Sequence, residues 1–174
     1  MTEHELTRAP GDRRLYELKG AGTLRLDGSF SGSGAVEAGD QRWQIARRPE
    51  RWRIARRGEV IVVIEALDLS GTIAAEFQGR AQVHGGTLRW GERELELRKS
   101  SRWRARFALV DGERELVTID GKGWGKRPVK LTIDDGAYVD PGLALFACFV
   151  VGALTEDAQR NANAVTMAGS GFRG

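Results

Sequence analysis

Short runs in which hydrophobic and polar residues alternate extend from about Arg13 to about Val139. "GTLRLDG" sets Leu24 and Leu26 against polar neighbours, and "RWRARFAL" puts four apolar residues on one face, namely Trp103, Ala105, Phe107 and Leu109. Alternation with period two separates the faces of a strand, so these runs predict half-buried strands. Five turn signals stand between such runs: Asp27-Gly28, Gly85-Gly86, Asp111-Gly112, Asp120-Gly121 and Asp135-Gly136. The pattern predicts an antiparallel meander of hairpins.

Three segments depart from simple alternation. "EVIVVIEA", residues 59–66, is rich in β-branched residues without alternation, which predicts a strand covered on both faces. "GEREL" occurs at residues 91–95 and 112–116, and the hydrophobic face switches at Gly91, so we expect two similar hairpins with a turn or bulge at that glycine. "SFSGSGAVEAGD", residues 29–40, lacks packing residues and predicts a flexible connection.

The pattern changes at "VDPGLALFACFVVGALTEDAQRNANA". Asp140 suits an N-cap, Pro141 suits the first helical position, and residues 143–154 follow without one polar side chain. We predict a helix over about residues 141–160, whose apolar run covers about 18 Å and is too short to span a bilayer core of about 30 Å. One sheet face cannot cover a helix that is apolar all round. The sequence therefore predicts a mainly β fold, an antiparallel β-barrel of hairpins that encloses this hydrophobic C-terminal helix.

Length and composition suit one domain, because the chain has 174 residues of which 41% are hydrophobic and 29% are charged. We expect a flexible N-terminus over residues 1–12, a barrel domain over 13–164 and a flexible C-terminal tail over 165–174. The single cysteine, Cys148, excludes an intrachain disulfide framework, and the first residues lack the apolar segment of a signal peptide. The single cysteine and the lack of a signal peptide favour a cytoplasmic protein. The abundance of Arg, Gly and Ala suits a bacterial one.

The predicted architecture resembles the tubby, phospholipid scramblase and LURP-one-related superfamily. The resemblance is carried by the meander from about Arg13 to Val139, by "DPGLALFACFVVGALTEDA", and by strands that bear tryptophans, at Trp43, Trp52, Trp90 and Trp103. In that superfamily an antiparallel barrel encloses a hydrophobic helix, tubby-type domains bind phosphoinositide headgroups through basic surface residues, and scramblase-like members have been linked to lipid movement and calcium. The resemblance implies a binding or regulatory module more than an enzyme.

The segment "RWQIARRPERWRIARR", residues 42–57, contains two Trp-x-Ile-Ala-Arg-Arg units nine residues apart. If Pro49 and Glu50 form a turn, antiparallel pairing brings Ile45 opposite Ile54, and the tryptophans are structural. The outward and turn arginines would then form a candidate site for an anionic headgroup or polyphosphate: Arg48, Arg51, Arg53 and Arg57. A solvated, arginine-rich sheet face is the alternative, and we favour it.

A second candidate lies in "DGKGWGKRPVK", residues 120–130, where Trp124 stands among cations that include Lys122, Lys126 and Arg127. An aromatic ring among cations can insert at a lipid interface or stack on a ligand, and a tryptophan that caps the barrel mouth is an equal alternative. A further basic group faces glutamates of candidate partner strands, so we expect it to be solvated surface: Arg98, Lys99, Arg102, Arg104 and Arg106.

Three acids precede the predicted helix, Asp134, Asp135 and Asp140, in a place that resembles the calcium segment of scramblases. The EF-hand ladder is absent and calcium needs six to eight oxygens, whereas a hairpin turn and an N-cap explain the acids. We predict no metal site, although the sequence leaves calcium open there.

His4 and His84 lack a nucleophile or acid arrangement nearby, and no catalytic motif occurs, so we predict neither an enzyme nor a cofactor.

These features predict a non-enzymatic binding or regulatory domain that recognises an anionic ligand such as a membrane-lipid headgroup. The alternative is a protein-interaction or structural domain whose basic surface is only solvated. Nucleic-acid binding ranks third, because the formal net charge is only +3. We expect a cytoplasmic location, with peripheral attachment at the inner face of the membrane as an option.

Overall fold

The computed structural model describes residues 1–28, 32–48, 61–80, 85–101, 105–121 and 128–169. Within them the chain forms twelve strands and one helix: β1 (Thr2–Arg8), β2 (Leu15–Leu18), β3 (Gly22–Leu26), β4 (Ser33–Ala38), β5 (Gln41–Arg47), β6 (Ile61–Leu67), β7 (Ile73–Arg80), β8 (Gly85–Trp90), β9 (Arg93–Lys99), β10 (Arg106–Asp111), β11 (Arg114–Asp120), β12 (Val129–Ile133) and α1 (Pro141–Gly169). The predicted mainly β class is confirmed.

The strands form one closed antiparallel barrel in which each strand pairs with its neighbours in sequence. β1 closes the barrel, with Thr2 opposite Ile133 of β12 and Leu6 opposite Leu18 of β2. Residues 2–8 therefore belong to the barrel. The sequence had predicted a separate flexible N-terminus there, and that prediction is wrong. Leu6 is fully buried but its neighbours in β1 are polar, so a single inward leucine gave too weak a pattern.

Helix α1 runs through the middle of the barrel. Every residue from Leu143 to Leu154 is buried, with the large apolar side chains at most 3% exposed, and they share one core with the inward residues of the strands. Burial of the large apolar side chains of this segment stabilises the fold by roughly 10 to 20 kcal/mol. Asp140 caps the helix, because its carboxylate accepts the Gly142 N–H at 2.7 Å. The enclosed helix predicted from the sequence is confirmed.

The helix is longer than predicted, since it continues beyond residue 160 to Gly169. Residues 165–169 are therefore helical rather than part of a separate tail. Within the described residues this is the one helix long and apolar enough to cross a membrane, over Pro141–Ala164 at a mean hydropathy of 1.4. Of the 18-residue stretch of the helix that has this hydropathy, 72% is buried inside the protein. The core of the barrel therefore accounts for its apolar character.

Small residues let the helix approach β3 and β4 closely. A Cβ at Gly34 would lie 2.6 Å from the carbonyl oxygen of Arg25 and 3.1 Å from the ring of Phe149, which only glycine permits. Ala35 and Val36 of the same strand are buried. Residues 33–38 thus form a packed strand, and the prediction of a flexible connection there is wrong. The strand has small side chains because the bulky side chains of the helix lie close to it, and the sequence alone makes such residues resemble a linker.

Other strand predictions have mixed outcomes. β6 is buried on both faces from Val62 to Ala66, as predicted. Gly91 and Gly112 have positive φ of 58° and 59° in the β8–β9 and β10–β11 turns, which confirms the two similar hairpins. Gly85-Gly86 lies within β8 and is not a turn.

The predicted hairpin of residues 42–57 is wrong at Ile45. This residue lies opposite Gly34 of β4 on one side and Ala66 of β6 on the other, so neither edge is left for Ile54. The second Trp-x-Ile-Ala-Arg-Arg unit, at residues 52–57, lies outside the described residues.

Antiparallel strands in sequence order place alternate connections at opposite ends of the barrel. We call the end where α1 begins the entry end, where the strands are joined by residues 19–21, 39–40, 68–72, 91–92 and 112–113, and where 134–140 lead into the helix. At the other, the exit end, the joining segments are residues 9–14, 27–32, 48–60, 81–84, 100–105 and 121–128. The helix leaves the barrel at this exit end.

Candidate functional site

Charge divides between the two ends of the barrel. Among the described residues, the entry-end segments contain one lysine and seven aspartates and glutamates, a formal charge of −6, whereas the exit-end segments contain Arg13, Arg14 and Arg48 against Asp12 and Asp27, a formal charge of +1. The net charge of the whole chain, +3, does not reveal this difference between the ends. A surface with one dominant sign attracts ligands of the opposite sign and repels those of its own, so the entry end disfavours anions.

Besides Arg8, which lies over the ring of Tyr16, and Arg48, four described cations are exposed in the exit-end connections or at the strand ends beside them. Arg13 and Arg14 precede β2, Lys99 ends β9, and Arg106 begins β10. None of the four has an ion-pair partner among the described residues, whereas most other exposed arginines do, for example Arg98 with Glu96 at 2.9 Å and Arg25 with Asp12 at 2.9 Å. Unpaired guanidinium and ammonium groups keep their donors free for a ligand's oxygens.

Two depressions lie beside these cations. The larger, of about 550 Å³, lies across the exit-end halves of β7, β8 and β9, and its polar lining consists of Gln78, Thr87, Glu96, Arg98 and Lys99. The other, of about 380 Å³, is lined by Ser100, Ser101, Arg106, Glu115 and Thr118. Hydroxyl, amide and cationic groups are the donors that phosphate and carboxylate ligands use.

Arg48 is the one predicted site residue within the described residues, and it has a protein partner. Its Nε donates to Oε2 of Glu65 at 2.6 Å; Glu65 is only 1% exposed, and the arginine side chain is 43% exposed. A buried carboxylate needs such a partner, because leaving it unpaired is costly. Arg48 therefore neutralises Glu65 on the outer face of β6 and contributes less free charge than the sequence suggested.

The other predicted site residues lie outside the described residues: Arg51, Arg53, Arg57, Lys122, Trp124, Lys126 and Arg127. The strands that flank them, β5 and β6 in one case and β11 and β12 in the other, have their facing ends at the exit end. Both candidate segments are thus joined to the same end of the barrel as Arg13, Arg14, Lys99 and Arg106.

Trp43 has the structural role that the sequence predicted. It is 6% exposed, its ring centroid lies 5.1 Å from that of Trp90, and Trp90 in turn contacts Phe146 of the helix at 6.1 Å. Tilted aromatic pairs at such distances stabilise a core beyond the area they bury. This cluster belongs to the entry end.

The three acids before the helix are each used by a protein donor. Arg114 Nε donates to Asp134 at 2.6 Å and, with the Gly136 N–H, lowers the pKa of Asp134. Asp135 accepts from the Met1 amino group and the Thr2 hydroxyl, which lower its pKa, and Asp140 caps the helix. No group of three or more potential metal-ligating side chains is found where the structure describes the chain.

Comparison of the chain with protein-family models, with curated proteins and with solved structures finds no match. Function is therefore inferred from the chain's own geometry and charge. Potential nucleophiles offer little within the described residues: Cys148 is fully buried, which raises the pKa of its thiol, and His4 lies in β1 opposite Leu131. A buried, protonated thiol is inert as a nucleophile.

Sequence inspection missed Arg13 and Arg14, and it treated Lys99 and Arg106 as ordinary solvated surface. The sequence alone did not show which connections lie at the same end of the barrel. That assignment requires the correct number of strands, because alternate connections lie at opposite ends. Three other residues belong to the basic group that the sequence analysis expected to be solvated surface. Arg102 and Arg104 lie outside the described residues, and Arg98 forms a surface ion pair with Glu96.

Proposed function

We propose that the protein is a non-enzymatic binding or regulatory domain that recognises an anionic ligand at the exit end of its barrel, and that this ligand is the headgroup of an anionic membrane lipid. The single observation behind the proposal is the contrast between an acidic entry end, whose connections carry a formal charge of −6, and an exit end where exposed cations have no ion-pair partner among the described residues. The unpaired cations Arg13, Arg14, Lys99 and Arg106 supply the described part of the binding surface.

The difference in charge between the two ends supports a membrane surface as the partner. Each Lys or Arg near an anionic leaflet contributes about 1 kcal/mol, within a Debye length of about 8 Å at physiological salt. Several such residues at one end add up to useful attraction, while the acids of the entry end are repelled. The barrel would therefore bind with its exit end toward the lipid and its axis steeply inclined to the membrane.

We further propose that the chain is a bacterial, cytoplasmic member of the tubby, scramblase and LURP-one-related superfamily. The support is architectural: a closed antiparallel barrel of twelve strands around a buried helix near the C-terminus. Peripheral attachment at the inner face of the membrane fits the basic end, because that leaflet carries anionic lipid.

Co-sedimentation with vesicles of phosphatidylcholine, with and without phosphatidylglycerol, tests the headgroup proposal. We expect retention only on the anionic vesicles, with loss at high salt because exposed charges are screened. The double variant Arg13→Ser/Arg14→Ser should weaken retention about 30-fold, and the triple variant Arg51→Ser/Arg53→Ser/Arg57→Ser about 100-fold.

Arg42→Ser/Arg93→Ser is the matched control, since it removes two exposed arginines near the entry end, with 54% and 43% side-chain exposure. Its retention should match that of the unaltered protein. Equal retention on neutral and anionic vesicles, or equal losses in the two double variants, would contradict the proposal. Tight polynucleotide binding with a steep salt slope would favour a nucleic acid instead.

A protein partner is the second candidate, and exposed apolar residues favour it. The large hydrophobic side chains that are exposed among the described residues lie at the entry end, with Leu69 86% and Tyr138 79% exposed. Exposed apolar groups beside acids suit a basic protein surface with apolar contacts. A Leu69→Ser/Tyr138→Ser variant that loses one stoichiometric partner, while its vesicle binding is unchanged, would support this candidate.

A further inference from the structure

A cavity of about 260 Å³ lies at the exit end between the emerging helix and the barrel wall. Its walls are mainly apolar and are formed by Ala105 and Phe107 on the barrel side and by Leu154, Ala158 and Ala162 on the helix side. Its polar groups are Lys99, Thr155 and Gln159. The apolar contacts of the closed core thus give way to an open, partly polar pocket at this mouth.

The two sides of the helix differ at this level. Leu154, Ala158 and Ala162 are spaced by four residues and therefore share one face, which looks toward β9 and β10. Asp157 projects from a different face, more than a quarter turn away at about 100° per residue. There Arg47 of β5 holds it through two hydrogen bonds of 3.1 and 2.5 Å. The helix is fixed to the barrel on one side and leaves the cavity open on the other.

The charges around the cavity specify the sign of an occupant. Among the described residues that line it, Lys99 is the charged one, and it has no carboxylate partner within the described part of the chain. The Thr155 hydroxyl donates to the carbonyl of Val151 at 2.8 Å, so its oxygen is left to accept. Lys99 also lines the larger depression beside Arg98, and so connects the cavity to the basic surface.

We infer that this cavity binds the apolar part of an amphipathic anion, whose charged group is neutralised by the ammonium of Lys99. The apolar walls offer water few hydrogen-bond partners, whereas a short acyl segment would remove both its own and the wall's apolar surface from water. The cavity volume lies just below the range typical of sites for drug-sized ligands. It therefore suits part of an acyl chain rather than a whole lipid. The inference deepens the proposed function and rests on it.

Octanoate is a suitable probe for the full-length protein, followed by NMR of the methyl groups of Leu154, Ala158 and Ala162. We expect saturable shifts confined to this face of the helix. Octylammonium, with the same chain and the opposite charge, and acetate, with the same charge and no chain, should bind about tenfold more weakly or worse. Absence of saturation, or equal affinity for octylammonium, would overturn the inference.

Three variants, one of them a control, test the cavity without touching the buried core. Ala158→Leu should fill it and weaken octanoate about tenfold, whereas Ala164→Leu, about 120° around the helix from Ala158 and exposed, should leave the affinity unchanged. Lys99→Gln should reduce the preference for octanoate over octylammonium. Equal binding by Ala158→Leu and Ala164→Leu would place the probe elsewhere and reject the cavity as the site.

The same variants distinguish a free amphiphile from a membrane lipid. If Ala158→Leu also weakens retention on phosphatidylglycerol vesicles, the cavity receives a chain from the bilayer. If it weakens octanoate alone, the ligand is a free amphipathic anion. Should the vesicle test of the basic end fail while octanoate still binds at this cavity, the proposed membrane function fails and the cavity site stands.

Discussion

Arg47 of β5 and Asp157 of α1 are joined by two parallel hydrogen bonds, Nη1 to Oδ1 at 3.1 Å and Nη2 to Oδ2 at 2.5 Å. Both side chains are largely buried, with 11% and 19% exposure. Arg47 has the inward parity of Trp43 and Ile45, so its guanidinium points to the barrel mouth where the helix emerges. The pair fixes the position of the helix relative to the wall at the exit end.

Arg47→Met should lower the free energy of unfolding by about 1 to 3 kcal/mol, because charge-assisted hydrogen bonds are lost and Asp157 keeps a poorly solvated carboxylate. Urea denaturation measures the change. Arg42→Met is the control on the same strand, since its side chain is 54% exposed and its ion pair with Glu37 is long at 3.4 Å; its cost should stay within about 0.5 kcal/mol. Equal costs for the two variants would deny the pair a stabilising role.

Phe146→Asp should prevent stable folding. Phe146 is fully buried and packs on Trp90 with ring centroids 6.1 Å apart, so the variant would bury an unpaired carboxylate at a cost of several kcal/mol, comparable with the total stability of about 5 to 15 kcal/mol. Near-UV circular dichroism and a thermal scan report the loss. Leu69→Asp, at an 86% exposed position, should be as stable as the unaltered chain. A cooperative, equally stable Phe146→Asp protein would refute the enclosed helix.

Acid should destabilise the entry end through Asp134 and Asp135. Arg114 holds the pKa of Asp134 below its ordinary value, and the Met1 amino group does the same for Asp135. A carboxyl whose folded pKa is depressed adds stability above its unfolded pKa of about 3.9 and loses it as pH falls through the folded pKa. Urea unfolding between about pH 5 and pH 2 should therefore show a smaller loss of stability in Asp134→Asn/Asp135→Asn.

Glu92→Gln is the control for this pH dependence, because Glu92 is exposed at the same end and has no ion-pair partner in the described residues. Its acid profile should follow that of the unaltered protein. The pairing account is contradicted if the double Asp→Asn variant loses as much stability on acidification as this control does.

Much of the fold could be predicted from local patterns. The cap at Asp140 and the apolar run after it specify the helix, and its all-round hydrophobicity requires an enclosing wall. The closing strand β1 could not be predicted, because it buries one leucine, Leu6, among polar residues. β4 was missed for a related reason: Gly34 and Ala35 have the composition of a linker, although the tight approach of Phe149 is what selects small side chains.

The candidate site was only partly visible in the sequence. Clusters of arginine stand out, but pairing decides which remain available, and the partner of Arg48 is Glu65, seventeen positions along the chain and on the outer face of another strand. The pair of Arg47 with Asp157 spans 110 positions, and no local pattern indicates it. Charge separation between the ends requires the strand order, so it emerged only from the topology.

Orientation at an anionic membrane tests the central claim most directly. Cys148 is fully buried, so a cysteine introduced at an exposed serine can be labelled selectively with a polarity-sensitive dye. Ser100→Cys places the dye at the exit end and Ser70→Cys at the entry end. On phosphatidylglycerol vesicles we expect a blue shift from the Ser100→Cys label and none from the Ser70→Cys label; a shift confined to Ser70→Cys, or equal shifts at both ends, would contradict the account.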